Sequence, residues 1–503
     1  MQKEYWKYLI WTLVVTLWVT LCFILPDFQD NPADGVKNIL TLAAYVCACG
    51  IGALFWVYIM GCSRWVCAIT LPVFSVIGSA LAFYRVGYHA TLTPMLLSVT
   101  LNTNPEEAMG VISWQIIVWV IFNLIIAGIF IWYRWNYIRL QKQWIHCLIA
   151  LAVGLFYYSC NARLQRSLNQ RYPHNVPYNV CEYIRIQHSI RTEREIPAFT
   201  SHTTPDSLKV VLILGEAARA DHLQLNGYGR ETNPRLIKRE NLVSLPNIYT
   251  DQTHTLASLP YILTRADSTH SERQYTETSF VSIFRNAGFY TSWISNQDLG
   301  TTFSHYLGEC DTIAFANASK SVYVYTQWLD EDLIPILQNQ MASRPASSLS
   351  IVHTIGSHWY FNNHVPSSMY YFQPLTNNRV ASSNTIEELV NSYDNTIRYA
   401  DFFVDSVITL LKDENAIVFY QSDHGEALGE DGYFLHANDA EPVKHPACII
   451  WYSDKYAEAN PEKIKALILN KDKRYRTDYV FYSILYAAGI EADGDCSEMN
   501  IFR

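Results

Sequence analysis

The chain has 503 residues, half of them hydrophobic, and a formal net charge of -9. That length exceeds one ordinary domain, and the acidic balance argues against nucleic acid as a partner. The apolar residues crowd into one end of the chain, which excludes a single evenly built soluble globule.

Five long apolar runs occupy the first 160 positions, near Tyr8–Leu25, Ile39–Met60, Trp65–Tyr84, Ile112–Tyr133 and Trp144–Tyr158. Each approaches the roughly 20 residues a helix needs to span a bilayer, with almost no internal charge. Buried core helices are the alternative, but five such runs in one block favour a transmembrane domain over residues 1–160. The first run is too long for a signal-peptide core and lacks a small-residue cleavage site. Lys3, Lys7, Arg64, Arg134, Arg139 and Lys142 mark one side of the spans, whereas Asp27, Asp30 and Asp34 mark the other. The positive side is cytoplasmic, so the N-terminus is expected in the cytoplasm and everything after the fifth span on the exported side.

The loop 86–111 reaches the exported side, and Met95, Leu96, Val99 and Leu101 suggest a short surface helix there; a plain connector is the alternative. Residues 161–205 are polar and read as a bridging segment. Residues 206–503 read as an exported α/β domain. Expected strands are Leu208–Leu214, Val243–Ile248, Tyr290–Ile294, Leu349–Thr354, Ala416–Tyr420 and Ala447–Trp451; expected helices include Ser279–Ala287 and Ile386–Leu411. Alternation of this kind implies a mostly parallel sheet covered on both faces. Cys160, Cys181, Cys310, Cys448 and Cys496 fall on the exported side, an odd set whose pairing is unassigned.

Several expected strands end in metal-type side chains. Glu216 closes the run Val-Val-Leu-Ile-Leu-Gly, and Asp423-His424-Gly-Glu follows Ile-Val-Phe-Tyr-Gln-Ser. Ligand sites form past the carboxyl ends of strands in open α/β sheets, and such oxygen and nitrogen donors suit zinc or a similar divalent ion. Glu216 alone reads better as a solvated loop acid. Thr253 lies where a helix would open, so its hydroxyl is either an ordinary N-cap or a nucleophile beside a metal. His358 follows a strand and a glycine turn. His353 sits inside the strand and reads as a packed histidine. His436, twelve residues after His424, would return to the site from the next loop as a phosphate contact or proton donor. Together these residues fit metal-assisted phosphoryl transfer with a covalent intermediate.

These stretches resemble the phosphoethanolamine transferases of Gram-negative inner membranes, including those that modify lipid A, within the alkaline phosphatase/sulfatase superfamily. The resemblance rests on Gly215-Glu216-Ala-Ala-Arg219, Asn226-Gly-Tyr-Gly-Arg-Glu-Thr-Asn-Pro234, Thr253 before Ser-Leu-Pro260, Gly-Ser-His358, Ser-Asp423-His424-Gly-Glu-Ala-Leu-Gly-Glu430 and Leu-His436. It implies an inner-membrane, zinc-dependent phosphoethanolamine transferase with its catalytic domain in the periplasm. Its donor would be phosphatidylethanolamine, and its acceptor lipid A or another envelope glycan. The resemblance makes Thr253 the nucleophile and Glu216, Thr253, Asp423 and His424 the site of one tight zinc. His358 and His436 would hold the phosphoryl group or a second ion, and Thr103 and Glu107 would meet the head group. The working form is taken as a monomer. The chain departs from the family at Asp251-Gln252 and Tyr261, where many members carry cysteines that brace the nucleophile helix, and at Val99, Trp359 and the segment Ser295–Gly300. A phosphoglycerol transferase or phosphodiesterase of the same superfamily is the enzymatic alternative, and a non-catalytic membrane sensor the other. No Cys-x-Pro-x-Arg or Ser-x-Pro-x-Arg surrounds Thr253, which argues against sulfatase activity.

Overall fold

The structure, a computed structural model, describes residues 2–503 except 32–33, 89, 95, 98–100, 102–113, 160–167, 191–192, 203–206, 298–303, 319–326, 344–346 and 379. Met95, Val99, Thr103 and Glu107, the residues proposed for the surface helix and the head-group loop, therefore lie outside the described residues. The chain forms two compact units, one built from residues 1–185 with 318–326 and the other from 186–317 with 327–503.

In the first unit, helices α1 (Gln2–Val19), α2 (Gly35–Cys62), α3 (Arg64–Tyr88), α4 (Trp114–Tyr137) and α5 (Gln143–Ser159) follow the five apolar runs. Among the described residues, four stretches are long and apolar enough to cross a membrane: Lys3–Phe28, Gly35–Cys62, Arg64–Gly87 and Trp114–Tyr137. The fifth is shorter, 17 residues. Buried arginine heads are costly unless satisfied, and Arg134 is satisfied by carbonyls. It donates to Gly61 O at 2.7 Å, Cys62 O at 3.0 Å and Ile138 O at 2.8 Å. A cation thus closes the C-terminus of α2, where the helix dipole is negative. At the other end of the bundle Arg85 pairs with Asp30, and Asp27 accepts from Tyr172 N at 3.3 Å. Residues 161–205 contain helix α6 (Asn175–Ile190).

The second unit is organised by a seven-stranded sheet. In chain order its strands are β1 (Lys209–Gly215), β2 (Leu242–Ser244), β3 (Tyr290–Ser295), β4 (Thr312–Phe315), β5 (Ser348–His353), β6 (Ala416–Ser422) and, after a two-stranded hairpin β7 (Ala427–Leu428) and β8 (Phe434–Leu435), β9 (Cys448–Tyr452). Their order across the sheet is β2-β9-β6-β1-β5-β3-β4. All seven residues of β1 are buried. Val210, Leu212 and Leu214 join the core on one face and Val211 and Ile213 the core on the other, the period-two alternation of a strand covered on both sides. Helix Ile386–Leu411 covers the second face. It starts at a capping box in which Thr385 Oγ1 accepts from Glu388 N at 3.2 Å and Glu388 Oε2 accepts from Thr385 N at 2.8 Å.

The expectation of a mostly parallel sheet is corrected to a mixed one. Strands β6, β1, β5, β3 and β4 run parallel, but β9 is antiparallel to both β6 and β2. The cause lies in the connection. Parallel neighbours need a crossover, usually a helix. Between β6 and β9 the chain instead loops at the carboxyl end of β6 through Asp423, His424 and the β7–β8 hairpin, and re-enters the sheet from the same end. Strand β4 went unforeseen because Thr-Ile-Ala-Phe is too short to show alternation. The described cysteines are all free thiols.

Candidate active site

Glu216 directly follows β1, and Asp423 and His424 directly follow its neighbour β6. Parallel pairing in register places Gly215 beside Ser422, so the three side chains emerge at one point. All three are buried, at 1 %, 1 % and 0 % exposure. Asp423 Oδ1 is held by Ala217 N at 3.1 Å and His424 N at 2.8 Å. Its other oxygen Oδ2 and Glu216 Oε1 are buried without a hydrogen bond, at 3.3 and 3.4 Å from His424 Nε2. The second ring nitrogen, His424 Nδ1, lies 2.8 Å from Gly425 O. Donation from Nδ1 there leaves the Nε2 lone pair facing the two carboxylates. Glu216, His424 and His436 each bring a ligand atom to within 4.8 Å of the others. Buried acids and an imidazole converging with orphaned atoms fit a divalent cation, which would satisfy them together.

Without an ion, burial would neutralise this cluster, but its members charge one another. Burial pushes the Asp423 carboxyl up to about 6, with Glu216 adding to the rise. For Glu216, burial is outweighed by His424, which holds the carboxyl below its usual range. For His424, burial is outweighed by Asp423 and Glu216, and the ring is raised to about 10.

The hydroxyl at this cluster belongs to Thr255. Its Oγ1 donates to Glu216 Oε2 at 2.9 Å and lies 3.5 Å from His424 Nε2. Thr255 is the first residue of helix α7 (Thr255–Leu263), after His254 in extended conformation. Thr253 lies two residues upstream, and its carbonyl accepts from Ala437 N at 2.7 Å. The expectation that the Thr253 hydroxyl meets the metal-type residues is therefore corrected: the hydroxyl placed there is that of Thr255. The expectation that a threonine opens this helix is met, but the helix opens two residues later. At that first position a developing oxyanion lies beside the positive end of the helix.

His358 and His436 complete the site. His436 is 4.7 Å from His424 and 5.9 Å from His358 by ring centroids. The β7–β8 hairpin delivers His436, with Leu435 and Ala437 on either side in positive-φ backbone, a strained conformation for residues with a side chain. His436 Nδ1 lies 3.2 Å from Glu426 Oε2. Burial disfavours its charge, but Glu426 wins and raises it above an ordinary histidine. His358 Nδ1 lies 2.6 Å from Trp359 O, and burial lowers its pKa. The two histidines thus differ: one tends to hold a proton, the other to lack it. His353, packed at 5.8 Å against Trp293, is lowered to about 4 by burial. Gln297 was missed. Its Nε2 donates to Glu216 Oε2 at 2.9 Å and to Thr354 O at 2.9 Å. The only signal for it in the sequence is its place just beyond the end of β3.

Comparison with known proteins agrees with this architecture. The sulfatase family model matches residues 209–490, and a model described as phosphoethanolamine transferase EptA/EptB matches residues 51–168. The phosphoethanolamine transferase EptA of Salmonella typhimurium is 25 % identical over 96 % of this chain and 94 % of its own length. The Kdo(2)-lipid A phosphoethanolamine 7''-transferase of the same organism is 33 % identical over 51 % of this chain and 46 % of its own. Among solved structures, the soluble domain of lipooligosaccharide phosphoethanolamine transferase A from Neisseria meningitidis has a TM-score of 0.57 at 26 % identity, over 62 % of this chain and 97 % of that one. The integral membrane form of that protein has a TM-score of 0.56 at 22 % identity over 98 % of both chains, a likeness of fold. The periplasmic domain of EptC from Escherichia coli, solved in complex with zinc, has a TM-score of 0.56 at 23 % identity over 62 % of this chain and 90 % of that one. The chain belongs to the sulfatase family, in its phosphoethanolamine transferase branch.

Proposed function

We propose that the protein is an inner-membrane enzyme that moves phosphoethanolamine from phosphatidylethanolamine to lipid A or another envelope glycan through a covalent threonine intermediate. The observation that carries this reading is the Thr255 hydroxyl, 2.9 Å from Glu216 at the head of α7. The relatives named for phosphoethanolamine transfer, and for lipid A in one case, support the transferred group and the acceptor. On this reading the N-terminus is cytoplasmic and the second unit periplasmic.

Glu216, Asp423 and His424 would hold a zinc ion beside Thr255. When bound, it would supply Lewis-acid polarisation of the hydroxyl and neutralise phosphoryl oxygens. Thr255 Oγ attacks phosphorus as its proton passes to Glu216 Oε2, to which it already donates, the bond to the diacylglycerol oxygen breaks, and that oxygen leaves with a proton. His436, whose charged form Glu426 favours, is suited to give that proton. His358, whose neutral form burial favours, is suited to take one from the acceptor hydroxyl. The acceptor oxygen then attacks the same phosphorus, Thr255 is released with its proton returned from Glu216, and the proton on His358 replaces the one His436 gave.

The test is intact-mass spectrometry of the full-length protein incubated with phosphatidylethanolamine. Wild type and Thr253→Ala are expected to gain one phosphoethanolamine group, and Thr255→Ala none. An adduct that survives in Thr255→Ala, or is lost in Thr253→Ala alone, overturns the assignment.

A further inference from the structure

The first unit carries a second shaped site, at the end of the bundle marked by the N-terminus. An apolar groove of about 220 Å³ runs between α2 and α5, lined by Ile51, Phe55, Ala150, Val153 and Gly154 among others. A side chain on Gly154 would place its Cβ 2.2 Å from Phe55 Cε2, so the glycine lets the Phe55 ring of α2 pack directly on α5 along the groove. The groove shares Tyr5 with a wider recess of about 470 Å³, lined by Arg139, Lys142 and His146. His146 lies at the junction, 3.0 Å from Tyr58 OH by its Nδ1 and stacked on Tyr5 at 5.7 Å.

The charge of the recess is one-sided. Glu4 is its one acid, and it is already engaged by Lys7 Nζ at 2.7 Å and by the backbone N–H of Arg139 at 3.0 Å. Arg139 and Lys142 are exposed and form no ion pair among the described residues. An apolar slot opening sideways under two unneutralised cations, at the edge of membrane-spanning helices, has the form of a lipid: acyl chain below, anionic head above. The neighbouring helix needs such support. Helix α5 packs chiefly on α2, and its 17 residues extend about 26 Å, short of the roughly 30 Å hydrocarbon core.

We infer that a glycerophospholipid with an anionic head group occupies this groove, its phosphate on Arg139 and Lys142 and one acyl chain between α2 and α5. Such a lipid would be a resident part of the first unit, held at the end of the bundle where Tyr5 lies.

Native mass spectrometry of the full-length protein in detergent, with equimolar phosphatidylglycerol and phosphatidylethanolamine, tests this. At about fivefold per basic residue, the two charges should favour retained phosphatidylglycerol by roughly twenty-five-fold. The exposed double substitution Arg139→Gln/Lys142→Gln should bring that ratio close to one, while the folded fraction stays unchanged. Equal retention of the two lipids by the parent protein, or a preference that survives the double substitution, overturns the inference and reduces the groove to one filled by bulk lipid.

Discussion

His424 and His436 lie 4.7 Å apart but answer to different carboxylates, and this divides their work. His424 faces Glu216 and Asp423, the acids left with orphaned oxygens, and on the proposed reading would help hold the cation. His436 leans on Glu426, which holds it above the ordinary histidine pKa of about 6.5. A proton donor works while protonated. Its contribution is therefore present below its own pKa and lost as pH rises through it, giving an alkaline limb displaced upward from that of an ordinary histidine. His436→Gln should remove that limb and lower kcat by about 10²–10⁴-fold, with bound zinc unchanged. The loss should shrink on a p-nitrophenyl phosphodiester, whose leaving group needs no proton. Loss of zinc in His436→Gln would instead make it a ligand. At this scale the sequence is readable where residue type and strand end coincide, as at Glu216, Asp423 and His424. It misleads where position depends on helix phase. Thr253 and Thr255 are the same residue type two apart, and only the start of α7 separates them. Gln297 was hidden for a different reason, since an amide carries no mark of metal chemistry.

The elements explain why the site needs so little covalent support. Strands β1 and β6 pair in register, so Glu216 and Asp423 are placed by backbone hydrogen bonds of the core sheet. The turn after β5 is packed just as tightly. Gly356 has φ +48°, and a Cβ there would lie 2.9 Å from Glu216 O. Gly356→Ala should therefore press on the ligand's own backbone. It is expected to cost about 1–3 kcal/mol and to weaken zinc binding, checked by thermal melts with and without added zinc. Unchanged melting and affinity would show that the turn can yield. The central strands and Ile386–Leu411 were legible because continuous apolar runs and amphipathic periodicity survive in the sequence. The direction of β9 was not, because strand composition does not record which end the chain enters from.

At the scale of the whole molecule, the first unit supplies four helices of spanning length and a fifth that falls short. The apolar runs were plain to read, since a bilayer demands length and lack of charge and little else. The groove between α2 and α5 was not readable, because it depends on which faces meet. In the second unit, Asp251 and Tyr261 stand where the family resemblance leads one to expect a bracing pair of cysteines. The segment is secured here by other means, with Thr250 N on Lys444 O at 2.9 Å and Thr253 O receiving Ala437 N at 2.7 Å. The periplasm is an oxidising compartment in which small exported domains commonly depend on disulfides. A domain whose described cysteines are free thiols, and whose active-site segment is tied by main-chain bonds, is expected to reach working form without forming a disulfide. Its activity should be unchanged in excess dithiothreitol once zinc is buffered against chelation by the reductant, and a steep loss in a transfer assay would disprove this. Maturation of this enzyme would then be set by the supply of metal rather than by the supply of oxidant, so cells unable to form disulfides would still make it active.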